Sequence, residues 1–185
     1  LAAAAPAAKS ILFVCKGNIC RSPFAADYAR RILPACISVA SAGYYPEPSR
    51  RCPGEAVTVA SRFGVDLSDH RSTVVDRAMI DNAIEAAGLI FVFDDENHER
   101  LIRDFPQVHD RMFFTGSLCG ESEFVIPDPW GGDTVTFERC YTTISRCLDN
   151  LVAILSPGGD SRPPAKSASF YHLIGAEAGR GAHQE

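Results

Sequence analysis

Apolar and polar positions along the chain fall into two alternating kinds of segment. ILFV at 11–14 and LIFVFD at 89–94 are short, nearly unbroken apolar runs, which suits strands buried on both faces. CISVASAG alternates and predicts a strand near 36–42, and RMFFT predicts another at 111–115. Between them lie helical patterns. One covers 22–33, with Ser22 read as N-cap and Pro23 at the first helical position. A second starts at Pro53 and is stopped by Gly64, a third covers 76–87 and is ended by Gly88, and a fourth lies in DENHERLIRDF. The last is long and carries the stripe Phe137, Cys140, Tyr141, Ile144, Cys147, Leu148, Leu151, Val152 and Leu155, spaced as a core-facing helix. Strands alternating with helices predict an α/β domain whose parallel sheet is covered on both faces. Ligands of such sheets bind beyond the carboxyl ends of the strands, where strand order reverses. Cys15 stands at one such end.

Outside 10–155 the pattern stops. PGGDSRPPAKSAS and GAEAGRGAHQE, rich in proline, glycine and serine or unpatterned, predict a tail over 156–185, and residues 1–9 are expected to be a flexible leading segment. There is no internal repeat. The 185 residues suffice for one domain with a substantial core. A net charge of -5 argues against nucleic acid or an anionic membrane held by a general basic field, so recognition of an anion must be local. No apolar run approaches the roughly 18 residues of a membrane span, and LAAAAPAAKS lacks the basic start and long apolar stretch of a secretion signal. Seven cysteines, an odd number scattered through apolar contexts, are unlike the paired framework of a small secreted protein and point to a reducing cytoplasm. Cys140 and Cys147 read as core packing, as does Cys36 at the head of its strand, while Cys52 and Cys119 fall in loops with no evident role.

The segment VCKGNICRSP at 14–23 joins the first strand to the first helix. Backbone N–H groups of Lys16, Gly17, Asn18, Ile19 and Cys20, turning into a helix start, would form a cradle for an anion of phosphate size. Arg21 adds a planar fork able to hold two phosphate oxygens. The same positive surroundings would favour the thiolate of Cys15, the nucleophilic form. One loop could then bind a phosphoryl group and attack it, with no metal required. A nucleotide-binding P-loop is excluded, because Cys20-Arg21-Ser22 stands where that motif needs Gly-Lys-Ser/Thr. A zinc site on Cys15 and Cys20 lacks a second pair of ligands at suitable spacing. FVIPDPWGGD, far along the chain, supplies Asp128 in a loop stiffened by prolines, a candidate proton donor for a departing oxygen.

Taken together, residues 10–155 resemble the low-molecular-weight protein tyrosine phosphatase family. The likeness rests on VCKGNICRSP, then SAG after the second strand, the HRS segment, FDDEN after the third strand and DPWGG before the last helix. It implies a three-layer sandwich with a four-stranded parallel sheet, no cofactor, and a two-step reaction through a cysteinyl-phosphate. Cys15 would be the nucleophile, Arg21 the oxyanion clamp, and Asp128 the general acid and then the general base. By resemblance Ser22 donates a hydrogen bond to the Cys15 sulfur, Asn18 holds the loop in a strained turn, and Ser41 and His70 are its partners. Asp94 would orient Arg21, although it or Asp95 could equally cap a helix. Trp130 resembles the aromatic wall against a phosphotyrosine ring, with Tyr44 and Tyr45 as candidates for a second wall. Gly131 stands where the family often has a further aromatic, so the tyrosine-phosphorylation control of some animal members is not expected. The implied partner is a phosphotyrosine protein, a tyrosine kinase among the candidates.

Protein-arginine phosphatases of the same fold tend to carry threonine where this chain has Ile19, so Ile19 favours phosphotyrosine. Thioredoxin-linked arsenate reductases use extra cysteines after the third strand, and FDDENHERLIRDF has none. A non-catalytic phosphoprotein-binding module would have lost Cys15 or Asp128, and both are present. Cys20, five positions after Cys15, is a candidate to capture an oxidised nucleophile as a disulfide.

Overall fold

Strand β1 (Ser10–Cys15) lies inside a four-stranded parallel sheet, between β2 (Ser38–Gly43) and β3 (Leu89–Val92), with β4 (Met112–Phe114) beyond β3. The computed structural model describes residues 8–119 and 124–155. The predicted tail at 156–185 and residues 1–7 of the leading segment lie outside them. Ala8 and Lys9 already belong to the domain. Ala8 is buried, and Lys9 donates its N–H to Ala86 O at 3.3 Å and accepts from Ser38 N at 2.9 Å.

Alternation splits the apolar runs between two cores. Ile11, Phe13 and Cys15 join Leu89, Phe91 and Phe93 on the face covered by α1 (Arg21–Ile32), α2 (Gly54–Arg62) and α5 (Thr134–Leu155). Leu12 and Val14 join Ile90 and Val92 against α3 (Arg77–Glu85) and α4 (Asp95–Asp104). The result is the predicted three-layer α/β sandwich. Phe24 of α1 stacks on Tyr141 of α5 with ring centroids 3.9 Å apart, and Phe63, just past α2, meets both edge-on. Burying a ring of this size contributes about 1.5–3 kcal/mol, so this cluster fixes α1, and with it the loop that feeds α1, against the rest of the layer. After β2 the chain crosses to the other side of β1 to form β3. The carboxyl end of β1, where Cys15 sits, is therefore the point at which strand order reverses.

Several local expectations need correcting. Ser22 is not the helix cap: α1 starts at Arg21 with Cys20 in the cap position, and the Ser22 hydroxyl turns inward to the loop network described below. Cys36 lies in an exposed turn before β2 and is not core. Cys119 and Cys147 form a disulfide with Cα atoms 4.9 Å apart, joining a short 3-10 helix (Thr115–Cys119) to the buried side of α5. The pattern assigned Cys119 no role and Cys147 only packing, because pairing 28 positions apart leaves no periodic trace. The left-handed residue after α3 is Ala87, with φ 52°. Gly88 is needed for space, since a Cβ there would run into Ser10 and the Ala83 carbonyl. A second 3-10 helix, Pro106–Arg111, precedes β4.

Candidate active site

Between β1 and α1 the chain wraps around the sulfur of Cys15. The Asn18 N–H donates to Sγ at 3.3 Å, and the Ser22 Oγ lies 3.0 Å from it. Asn18 occupies the left-handed region at φ 50°, a conformation that asparagine tolerates better than most residues. Its side chain accounts for the turn. Nδ2 donates to Ser22 Oγ and Ser41 Oγ, each at 2.9 Å, while Oδ1 accepts from Thr73 N at 2.8 Å. His70 Nε2 contacts the Asn18 carbonyl at 2.9 Å. A carbonyl only accepts, so the proton is on Nε2. Burial holds the His70 pKa below its ordinary value despite that bond, with Arg30 and Arg71 adding to the depression, which favours the neutral ring. The segment Ser41-Ala42-Gly43 meets the loop three ways: through the Ser41 hydroxyl, through the Ala42 carbonyl 3.2 Å from Ser22 Oγ, and through the missing side chain of Gly43. A Cβ on Gly43 would approach Asn18 N to 2.7 Å and Lys16 O to 2.8 Å, so alanine here would push the loop away.

With Asn18 N–H turned to the sulfur, the amides of Gly17, Ile19 and Cys20 have no acceptor among the described residues. They rim an anion-sized cradle. At its edge lies Arg21, 1% exposed. Nη1 donates to Asp94 Oδ2 at 2.5 Å and to Ile126 O at 3.0 Å, and Nη2 donates to Asp128 Oδ2 at 2.7 Å. The guanidinium also lies over the Phe93 ring at 5.7 Å. Burial pulls the Arg21 pKa down, but Cys15, Asp128 and Asp94 outweigh it and lift it above its ordinary value. Nε is buried, with no partner among the described residues. An unpaired buried N–H of a cation is costly, and an anion oxygen in the cradle would satisfy it.

The two carboxylate oxygens of Asp94 make separate contacts. Oδ1 caps α4 by accepting from Asn97 N at 2.8 Å while Oδ2 holds Arg21, and Asp95 is inside the helix. Asp128 comes from the loop before α5, where its Oδ1 accepts from Trp130 N at 3.2 Å and fixes the turn. Its side chain is 36% exposed, at the mouth of a cleft of about 290 Å³. Cys15, Lys16, Gly17, Ile19 and Cys20 floor that cleft, and Tyr45 and Trp130 wall it. Trp130 is 68% exposed. Of the two tyrosines, Tyr45 faces the cleft. Tyr44 is buried away from it, with Asn97 Nδ2 at 3.4 Å from its hydroxyl and the Arg100 guanidinium 4.8 Å above its ring. Burial, then Asp128 and Cys15, push the Cys20 thiol above its ordinary value. Tyr141 donates to the Cys20 carbonyl at 3.2 Å and ties the loop to α5.

Sequence reading missed Arg50. It lines the cleft, donates Nη2 to the Gly17 carbonyl at 2.6 Å, and stacks on Tyr45 at 4.2 Å. Arginine in an irregular loop has no period to expose it, and its contact to Gly17 spans 33 positions.

Residues 10–158 match the family described as low molecular weight phosphotyrosine protein phosphatase. The probable low molecular weight protein-tyrosine-phosphatase EpsP of Ralstonia nicotianae is 33% identical over 141 residues, 76% of this chain and 92% of that protein. A protein-arginine-phosphatase of Geobacillus stearothermophilus is 26% identical, over 76% of this chain and 92% of its own length. The crystal structure of the Erwinia amylovora tyrosine phosphatase AmsI superposes with a TM-score of 0.72 at 28% identity, over 80% of this chain and 94% of that one. The cradle at the end of β1 thus sits in a matching fold and a matching sequence, and the chain belongs to the low molecular weight phosphotyrosine protein phosphatase family.

Proposed function

We propose that this phosphatase hydrolyses phosphotyrosine in proteins through a cysteinyl-phosphate. The observation that carries the mechanism is the buried Arg21, whose Nε, like the amides of Gly17, Ile19 and Cys20 around the Cys15 sulfur, has no partner among the described residues. A bound phosphoryl group accepts from those amides and takes Arg21 Nε and Nη2 as a two-oxygen fork. It thereby releases Asp128 from its contact with Arg21. Cys15 thiolate attacks phosphorus while Asp128, in its acid form, gives its proton to the departing phenolate oxygen. Asp128 carboxylate next takes a proton from water, the water oxygen bonds to phosphorus, and the S–P bond breaks. The Ser22 hydroxyl has one proton within reach of both the sulfur and the Ala42 carbonyl, with Asn18 Nδ2 occupying a lone pair. That proton serves the sulfur when the sulfur leaves as an anion. The working unit is the domain over 10–155, with Ala8 and Lys9 attached to it, in a cytoplasmic setting, and Cys15 is a free thiol.

Ile19 supports phosphotyrosine over phosphoarginine, since it presents an apolar side chain to the cleft floor between two aromatic walls. The test is a panel of phosphotyrosine, phosphoserine and phosphoarginine peptides run beside Cys15→Ser. Turnover confined to phosphotyrosine supports the reading, and preferred turnover of phosphoarginine contradicts it.

Asp128→Asn is expected to lower kcat/KM, which covers the steps up to expulsion of the leaving group, by about 10²-fold or more for a phenol leaving group, and by much less for an activated aryl phosphate whose oxygen needs no proton. A leaving-group series checks this; a uniform loss would make Asp128 a structural residue. Cys20 is the proposed resolving thiol for oxidised Cys15. Peroxide should inactivate the enzyme reversibly, with a Cys15–Cys20 link in peptide mass spectra and poor recovery of Cys20→Ser. Equal recovery of the two proteins would exclude that role.

A further inference from the structure

The rim of the cleft holds a cation that phosphate binding does not use. Arg21 and the loop amides account for the phosphoryl oxygens. Arg50 stands apart from them, at the Tyr45 wall. Its guanidinium is pinned at three places: Nε donates to Glu47 O at 3.1 Å, Nη2 donates to Gly17 O at 2.6 Å, and the plane lies 4.2 Å from the Tyr45 ring centroid. None of these is a carboxylate, and among the described residues no acceptor takes the Nη1 hydrogens. Lys16, the other cation on this rim, is already paired with Glu96 at 3.2 Å. Arg50 is therefore a half-buried, pre-oriented positive charge with unused donors, in a chain whose net charge is -5.

We propose that Arg50 determines substrate selection by binding a carboxylate next to the phosphotyrosine, so that the preferred substrates carry Asp or Glu flanking the phosphorylated residue. The inference rests on the phosphotyrosine reading above. A ring lodged between Tyr45 and Trp130 brings its own peptide backbone to the cleft mouth, where the neighbouring side chain meets Nη1. Because the guanidinium is held in place beforehand, little side-chain freedom is lost when the carboxylate binds. The Gly17 contact gives Arg50 a second effect, on the loop itself, so its removal affects every substrate to some degree. Selection is read in a ratio that cancels this common loss.

The experiment measures kcat/KM for two phosphotyrosine peptides identical except for Glu or Gln at the flanking positions, with p-nitrophenyl phosphate as a third substrate. The parent enzyme is expected to favour the Glu peptide by about tenfold, the scale of one charge-assisted hydrogen bond at a partly solvated site, and the preference should shrink as salt is added. Arg50→Gln should bring the ratio to about one, whatever it does to p-nitrophenyl phosphate. Arg50→Lys, which keeps the charge and loses the fork, should retain part of the ratio. Equal kcat/KM for both peptides in the parent, or an unchanged ratio in Arg50→Gln, would overturn the assignment while leaving the phosphotyrosine reading intact. Turnover of neither peptide, with a phosphoarginine peptide hydrolysed, would overturn that reading and this inference with it.

Discussion

Cys15→Ser is expected to abolish phosphotyrosine turnover while the cleft still binds phosphate. Serine keeps the shape of the loop, since Asn18 N–H and Ser22 can hydrogen-bond an oxygen as they do the sulfur. The cradle amides and Arg21 are untouched, so vanadate or phosphate should bind with an affinity within a few-fold of the parent. A hydroxyl, however, is almost wholly protonated at neutral pH, and nothing in the loop is placed to remove its proton: the ring of His70 is spent on the Asn18 carbonyl. Loss of a nucleophile of this kind costs on the order of 10⁴–10⁶ in kcat. Steady-state kinetics together with titration calorimetry separate the two effects. Turnover by Cys15→Ser within tenfold of the parent would show that another group attacks phosphorus.

Arg21→Lys should be nearly as damaging, although it conserves charge. The guanidinium reaches Asp94, the Ile126 carbonyl and Asp128 with its two terminal nitrogens and keeps Nε for the ligand. An ammonium is one point with three donors and cannot span those positions while holding two phosphoryl oxygens. A fall in kcat of about 10³-fold is expected, comparable with removal of a transition-state arginine in other phosphoryl transfers. Arg21→Ala should in addition destabilise the fold by up to about 3 kcal/mol, because it strands Asp94 and Asp128 without a cation; their side chains keep 19% and 36% exposure, which limits the penalty. Thermal melting should therefore rank parent, Lys and Ala in that order. Full activity in Arg21→Lys would mean that charge alone suffices and that the fork geometry is irrelevant.

How much of this was legible in the chain depended on how local the physics was. Strands buried on both faces have no polar positions, so 11–14 and 89–92 announced themselves, and the cradle followed from a strand end, a glycine and a helix start in ten residues. Asp128 stands out because its proline-flanked turn is local too, whereas the local signal at Asp94 marks only a helix cap that Asp95 could equally fill, and its place beside Arg21 comes from the family resemblance. Where one local signal serves two purposes, the residue pattern alone points to the commoner one, and only the family resemblance supplies the other. Ser22-Pro23 has the form of a helix cap, yet the hydroxyl is used by Cys15 and Asn18 and the helix begins one residue earlier. Tyr44 and Tyr45 are adjacent in an irregular segment where neither a period of 2 nor one of 3.6 applies. Only the tertiary contacts, Arg100 over one ring and Arg50 over the other, tell the buried tyrosine from the wall. The Cys119–Cys147 disulfide and the Arg50–Gly17 bond join positions far apart in sequence and left no mark on the pattern.

Intermediate trapping tests most directly whether phosphorus passes through the Cys15 sulfur. Asp128→Asn, slowed in the step that activates water but little in expelling a leaving group that needs no proton, is mixed with p-nitrophenyl phosphate, quenched within the first turnover and digested for mass spectrometry. One phosphoryl group is expected on the peptide containing Cys15, formed at the rate at which p-nitrophenol first appears and absent when Cys15 is also replaced by serine. Release of p-nitrophenol in a first-turnover burst, with no phosphoryl group on Cys15 at any quench time, would contradict passage through the sulfur.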